Sequence, residues 1–304
     1  MDLSAQAFGL TRAFWRDEEQ MHWPLARARH GEHSMTRLMW ASREGLLPRV
    51  VELIAWSSDV NAQDARGFAP LHFASWCGRL EVARELLARG AALELEDRDG
   101  DTPLNGACLY GRDALVQLRL DAGGQVEAKN DDGATPLASA SEAGSAACVR
   151  LLLGRGAAVD ARDDAAATPL ILAGARGHLD IVRELLARGA ALDARDADGL
   201  TVLHRAGSSG SAEVVAELLL QRGAAVNARA TDGATPLVCA CAEGHLAAAT
   251  LLLDAGADLA LLCNNGHSAL RLAKRRARAD EAPKRPEHRE HKALVRLLKK
   301  RGAV

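Results

Sequence analysis

The stretch GFAPLHFASWCGRLEVARELLARGAALELED, Gly67 to Asp97, decides the fold. Pro70 stands where a first helical turn begins, because its missing N–H has no partner to lose there. About eight residues later Gly78 supplies the left-handed conformation that ends a helix. A second run follows, with Leu80, Val82, Ala83, Leu86 and Leu87 at the spacing of a buried stripe, and it closes at Gly90. The remaining residues form an extended loop, and Gly100 marks a tight turn into whatever comes next.

The same pattern recurs outward in both directions at a period of 33 residues. Leu stands at 38, 71, 104, 137, 170, 203, 237 and 270, and Ala three positions after each. One step is 34, from an extra residue near Leu220. Thr precedes the helix-opening Pro at 102, 135, 168 and 235, a good N-cap whose hydroxyl accepts an orphan backbone N–H. The small Ala column lets neighbouring helices approach to about 8 Å. A period of this size implies a stack of like units whose function lies in its surface.

The T-P-L-H-x-A element, the Gly-terminated helices and the L-L-x-x-G-A close resemble the ankyrin repeat. The resemblance covers Gly31 to Val304 and comes eight times in phase, with repeats starting near 31, 64, 97, 130, 163, 196, 230 and 263. It implies an all-α repeat solenoid of paired antiparallel helices with projecting β-hairpin loops, preceded by an N-terminal extension over 1–30 in which a short capping helix is expected. Some positions depart from the pattern. Ala166 replaces a turn Gly, and Arg119 stands where the second helix should place its core Leu, which marks repeat three as the weakest interior unit. The His after the Leu column survives only at His72 and His204. Repeat eight carries about 13 extra residues between its helices, a basic insertion at about 276–288 that Pro283 and Pro286 argue is a loop.

Bulk properties narrow the function classes. Hydrophobic residues make up 48% of the 304 but aromatics only 3%, so the core is aliphatic. No run approaches the roughly 18–20 apolar residues of a membrane span. The first 30 residues lack the basic start and apolar block of a secretory signal. Six cysteines at no framework spacing read as reduced thiols, and a cytoplasmic protein is expected. From Arg271 to Arg301 there are 13 Lys/Arg against 4 Asp/Glu, which leaves 25 against 36, or −11, elsewhere. An acidic body of that kind favours basic partners.

Nothing in the chain assembles a catalytic site, so no enzyme activity and no cofactor are expected. His288 and His291 sit three apart but lack companion ligands, so no metal site is assigned. Cys239 and Cys241 lie two apart on one helix and point different ways, against a redox pair. His178 and His245 follow an inter-helix Gly, a place for local hydrogen bonding.

The surface is where function is sought. Carried over from the resemblance, first-helix ends and loop tips line a groove where another protein binds. Phe68 and Trp76 from repeat two, beside Leu109 and Tyr110 from repeat three, are expected to form one exposed apolar cluster, with Arg43 at the equivalent end in repeat one. Every aromatic lies at or before Tyr110, and aromatic anchors are enriched in binding hot spots. The alternative occupant of that groove is the N-terminal segment with Phe8, Phe14, Trp15 and Trp23. Lys274, Arg275 and Arg276 with Lys284 and Arg285 form a second candidate, a basic patch that resembles a bipartite nuclear-import signal or a contact for nucleic acid or an anionic membrane, beside the plainer reading of a solvated insertion without function. Asn61 and Asn227 resemble sites of asparaginyl hydroxylation, beside a plainer role in holding their turns. The reading is a monomeric, non-catalytic adaptor for another protein; the rival is a nuclear or nucleic-acid-associated adaptor using the basic insertion.

Overall fold

The computed structural model describes residues 35–279 and 286–303. The chain divides into two compact units, one through Gln125 and one from Val126. In the first, three helix pairs follow one another: α1 (Arg37–Glu44) with α2 (Leu47–Ala55), α3 (Pro70–Trp76) with α4 (Leu80–Ala88), and α5 (Pro103–Leu109) with α6 (Asp113–Asp121). The second begins with α7 (Pro136–Ala143), α8 (Ala146–Gly154), α9 (Pro169–Arg176), α10 (Leu179–Ala187), α11 (Val202–Ser209) and α12 (Ala212–Ala216). It ends with α13 (Pro236–Glu243), α14 (Leu246–Asp254), α15 (Ala269–Ala279) and α16 (Pro286–Lys300).

Within each unit first helices pack on first helices and second on second. The Leu and Ala columns are buried throughout, from Leu38 and Ala41 to Leu270 and Ala273. No strand occurs among the described residues, and the projecting loops are tight turns. Asp64 shows how they hold their shape: its carboxylate accepts from the N–H groups of Arg66 (2.8 Å) and Phe68 (2.9 Å). Asp97 and Asp196 repeat the arrangement. Single backbone bonds then link successive tips, Arg98 N–H to the Arg66 carbonyl (2.9 Å) and Ala197 N–H to that of Ala165 (2.8 Å). Ala166 takes φ +56°, a left-handed conformation forced on it where the other turns have Gly.

The helix starts follow the sequence. Thr102, Thr135, Thr168 and Thr235 each accept the N–H three residues on. Where Ala69 has no hydroxyl, the ring of His72 does the capping: Nδ1 accepts the Ala69 N–H (3.0 Å) and Nε2–H donates to the Asp101 carbonyl (3.1 Å). His204 makes the same pair of bonds with Thr201 and Ala234.

Irregularities are absorbed locally. The extra residue near Leu220 becomes a π-helical turn, Glu217–Gln221, directly after α12, with Leu220 turned out to solvent and Leu218 kept buried. In the last repeat α15 runs on through Ala279 and Pro286 opens α16, so helix occupies the described flanks of the segment read as a loop; 280–285, with Lys284 and Arg285, lie outside the described residues. His291 lies against Gly244 as His245 lies against Gly210. The step from 245 to 291 is 46 rather than 33, and Leu294 and Leu298 are buried 46 residues after Ala248 and Leu252.

Arg119 is fully buried at the position that carries Leu in repeats one, two and four to seven. Its Nη2 donates to the Leu93 carbonyl, while Nε and Nη1 find no hydrogen-bond partner among the described residues. Burial pulls its pKa down to about 10, opposed by the charge of Glu94. A buried guanidinium with incomplete bonding is worse than a well-packed apolar side chain. Arg119→Leu should therefore stabilise the chain, by roughly 1–4 kcal/mol. A melting temperature at or below the parent's would contradict this account of α6.

Burial also pulls the His72 pKa to about 4, from an ordinary value of 6.5, and lowers that of His204. Protonation must break the Nδ1 bond, so the unfolded chain binds the proton first as pH falls. The stability tied to the neutral ring is complete above pH 6.5 and is lost between 6.5 and 4, about 3 kcal/mol for His72. Asn105 occupies the equivalent place in repeat three, so His72→Asn is a tolerable variant. Melting temperatures compared at pH 7.5 and 4.5 should fall less steeply in the variant. Parallel slopes would show that His72 does not titrate in this way.

Candidate partner-binding surfaces

The aromatic residues of the first unit sort into two layers. Phe68 and Trp76 are buried, 6% and 9% exposed, in a cluster with Met39 and Phe73. The Phe68 ring meets Trp76 edge-on at 4.4 Å, Phe73 lies 5.9 Å from Trp76, and the Arg66 guanidinium covers Phe68 at 5.3 Å. The expectation that Phe68 and Trp76 face solvent is thus corrected: they close the core of repeat two. For Trp76 the reason is Gly106 on α5. It stands one repeat after Phe73, and a Cβ there would fall 1.7 Å from Trp76 Nε1. The missing side chain is the slot that receives the indole.

Leu109 and Tyr110 do reach the surface, 45% and 42% exposed. Tyr110 caps the end of α5, and its ring lies 6.2 Å from that of Trp76, tilted 46°. The rings of Trp76 and Tyr110 are neighbours, and of the two Tyr110 is the one exposed. Arg43 is also corrected, since it is buried beside Glu44 (3.9 Å) and its carbonyl accepts from Arg79 Nε (2.9 Å). Arg112 Nε likewise donates to the Trp76 carbonyl (3.0 Å), and His178 Nε2 to that of Glu142 (3.0 Å). At these three positions the residue after the inter-helix Gly thus satisfies the end of the first helix one repeat earlier.

Sequence reasoning missed Trp56, which is 54% exposed at the end of α2 under the Arg49 guanidinium (5.4 Å), and Leu46 between α1 and α2. Both are irregular for their columns: Trp56 follows the helix where the other second helices place a small or charged residue. That departure was the available signal.

The basic patch divides differently from its sequence clusters. Arg276 turns to Glu243 (3.7 Å). Arg275 is exposed and Lys274 half-buried, and the exposed Arg271 and Arg278 fall on the same side of α15.

Asn61 and Asn227 hold successive repeats together. Asn61 Oδ1 accepts the Ala92 N–H (2.8 Å) and its Nδ2 donates to the Gly90 carbonyl (3.2 Å). Asn227 engages Asp258 and Gly256 in the same way. Glu94, Glu127 and Asp160 take the acceptor part elsewhere. No disulfide joins the six cysteines, and burial raises the Cys239 and Cys241 pKa values to about 12, far from thiolate chemistry. Among the described residues no three His, Cys, Asp or Glu side chains gather as a metal site, and no helix is long and apolar enough to cross a membrane.

The family model for ankyrin repeats (3 copies) matches residues 38–129, 85–163, 107–196, 156–230 and 215–281. The chain belongs to the ankyrin repeat family. Among solved structures it is similar to the human ASB11 ankyrin repeat domain, at 32% identity and a TM-score of 0.64, over 75% of this chain and 98% of that one. No curated protein sequence matches. Ankyrin repeats generally mediate protein–protein interaction and are typically non-catalytic.

The slot at Gly106 gives a direct test of the ankyrin packing beneath Tyr110. Gly106→Ala should expel the Trp76 indole, costing about 1–3 kcal/mol and weakening the near-ultraviolet circular dichroism. Gly154→Ala, where a Cβ meets nothing within 4 Å, should be close to neutral. Equal melting temperatures for the two variants would refute the slot.

Proposed function

We propose that this ankyrin protein is a non-catalytic adaptor that binds another protein through the Leu109–Tyr110 surface of its first unit. The observation that carries the reading is an exposed aromatic ring held on a packed floor. Tyr110 is fixed at a helix cap and backed by Trp76, while Leu109 extends the apolar area beside it. A large side chain already held in place loses little freedom on binding, so more of its burial appears as affinity. Polar groups elsewhere in the chain do not favour chemistry instead. His72 and His204 are committed to bonds at their helix starts, and burial raises the pKa of the Cys239 and Cys241 thiols.

Affinity capture with the intact chain, followed by mass spectrometry, identifies the partner. Leu109→Ala and Tyr110→Ala together should reduce its retention tenfold or more, as loss of a hot spot of about 2 kcal/mol does. Both side chains are exposed, so melting should be little changed. A captured set indifferent to the double substitution would remove this assignment.

A further inference from the structure

Several arginines in or beside the helices have an acidic partner at hand. Arg49 pairs with Glu52 (2.8 Å), Arg89 with Glu85 (2.9 Å), Arg176 with Glu142 (2.5 Å), Arg188 with Glu184 (3.1 Å) and Arg205 with Asp196 (2.6 Å). On α15 such pairing is confined to Arg276 among the described residues. Arg271, Lys274, Arg275 and Arg278 fall at i, i+3, i+4 and i+7, one stripe on one side of the helix. None of the four forms an ion pair among the described residues. The opposite flank is ordinary: Leu270 and Ala273 are buried, and Arg276 turns to Glu243. The stripe borders a surface hollow of about 570 Å³ that His267 and Ser268 also line, with no acidic side chain in its wall among the described residues. Four like charges spread over about 10 Å of helix repel one another, and an anion in the hollow relieves that repulsion.

We propose that this hollow is a docking site for an acidic peptide segment of a partner protein. It is separate in residues and chemistry from the Leu109–Tyr110 surface. Three of the four cations are Arg, whose planar fork takes a carboxylate with two parallel hydrogen bonds. Alternate residues of an extended peptide are roughly 7 Å apart, so two or three carboxylates span the stripe. A nucleic acid strand fits less well. No Phe, Tyr or Trp follows Tyr110, so the second unit offers bases no large aromatic ring to stack on. Outside Arg271–Arg301 the chain carries 25 basic against 36 acidic residues, a net −11 that opposes a longer polyanion.

The test is fluorescence anisotropy with the intact chain and three labelled probes: a ten-residue peptide with Glu at alternate positions, its Gln counterpart, and a twelve-residue oligothymidylate. The Glu peptide should bind saturably at low salt and weaken as salt rises, with the Gln peptide unbound. Arg271→Glu with Arg275→Glu should cut the affinity about tenfold or more, whereas Arg150→Glu, an exposed change of charge on α8, should change it less than twofold. If the doubly reversed chain melts early, Arg271→Gln with Arg275→Gln supplies the same reading at lower strain. Leu109→Ala with Tyr110→Ala should leave peptide affinity intact, which separates this site from the one proposed above. Failure of the Glu peptide to saturate, an equal loss in Arg150→Glu, or tighter binding of the oligothymidylate would each overturn the proposal.

Discussion

The structure depends on a constraint that no single helix pair can meet: its polar backbone ends must be bonded before its apolar face can be buried. A carbonyl at the end of a first helix, withdrawn from water, needs a donor. Here the donor comes from the following repeat, from Arg79 to Arg43, Arg112 to Trp76 and His178 to Glu142. The loops obey the same requirement. Arg162 Nη1 bonds the Arg195 carbonyl (2.8 Å), and Arg195 Nη1 bonds that of Arg229 (2.7 Å). Stacking in this protein is thus a matter of polar completion as much as of hydrophobic burial.

This explains which parts of the fold were legible in the chain. Leu, Ala, Thr, Pro and Gly columns report properties of one helix, and a helix's own geometry makes them periodic. Burial of a particular side chain is another matter, because it is decided by what the next repeat leaves empty. Phe68 and Trp76 look like surface anchors when read along their own repeat. Both are buried, and Trp76 is so because Gly106, one repeat later, gives up its side chain. The signal was present in the sequence as a Gly in the middle of a helix, a residue that weakens a helix unless packing demands it.

The charged positions teach a similar lesson. Lys274, Arg275 and Arg276 read as one cluster because they are adjacent in the chain, but adjacency scatters side chains around a helix. The structure regroups them by angle, sending Arg276 to Glu243 and bringing Arg271 and Arg278 alongside Lys274 and Arg275. Helical phase sorts charges into compensated and uncompensated sets, and composition cannot. Arg119 shows the converse: a charged residue recognised as out of place in its column lies fully inside, with its stem filling the volume of the expected Leu.

The π-helical turn at Glu217–Gln221 has a wider implication for how such chains change over time. One surplus residue is taken up within five positions, and downstream of it Leu237, Ala240 and Ala248 return to their buried places. A slip in the count of a tandem array is therefore healed where it arises and not inherited by its successors. Lineages of such genes can gain or lose single codons inside a second helix without forfeiting the modules beyond it, provided the surplus side chain, here Leu220, can be left facing water.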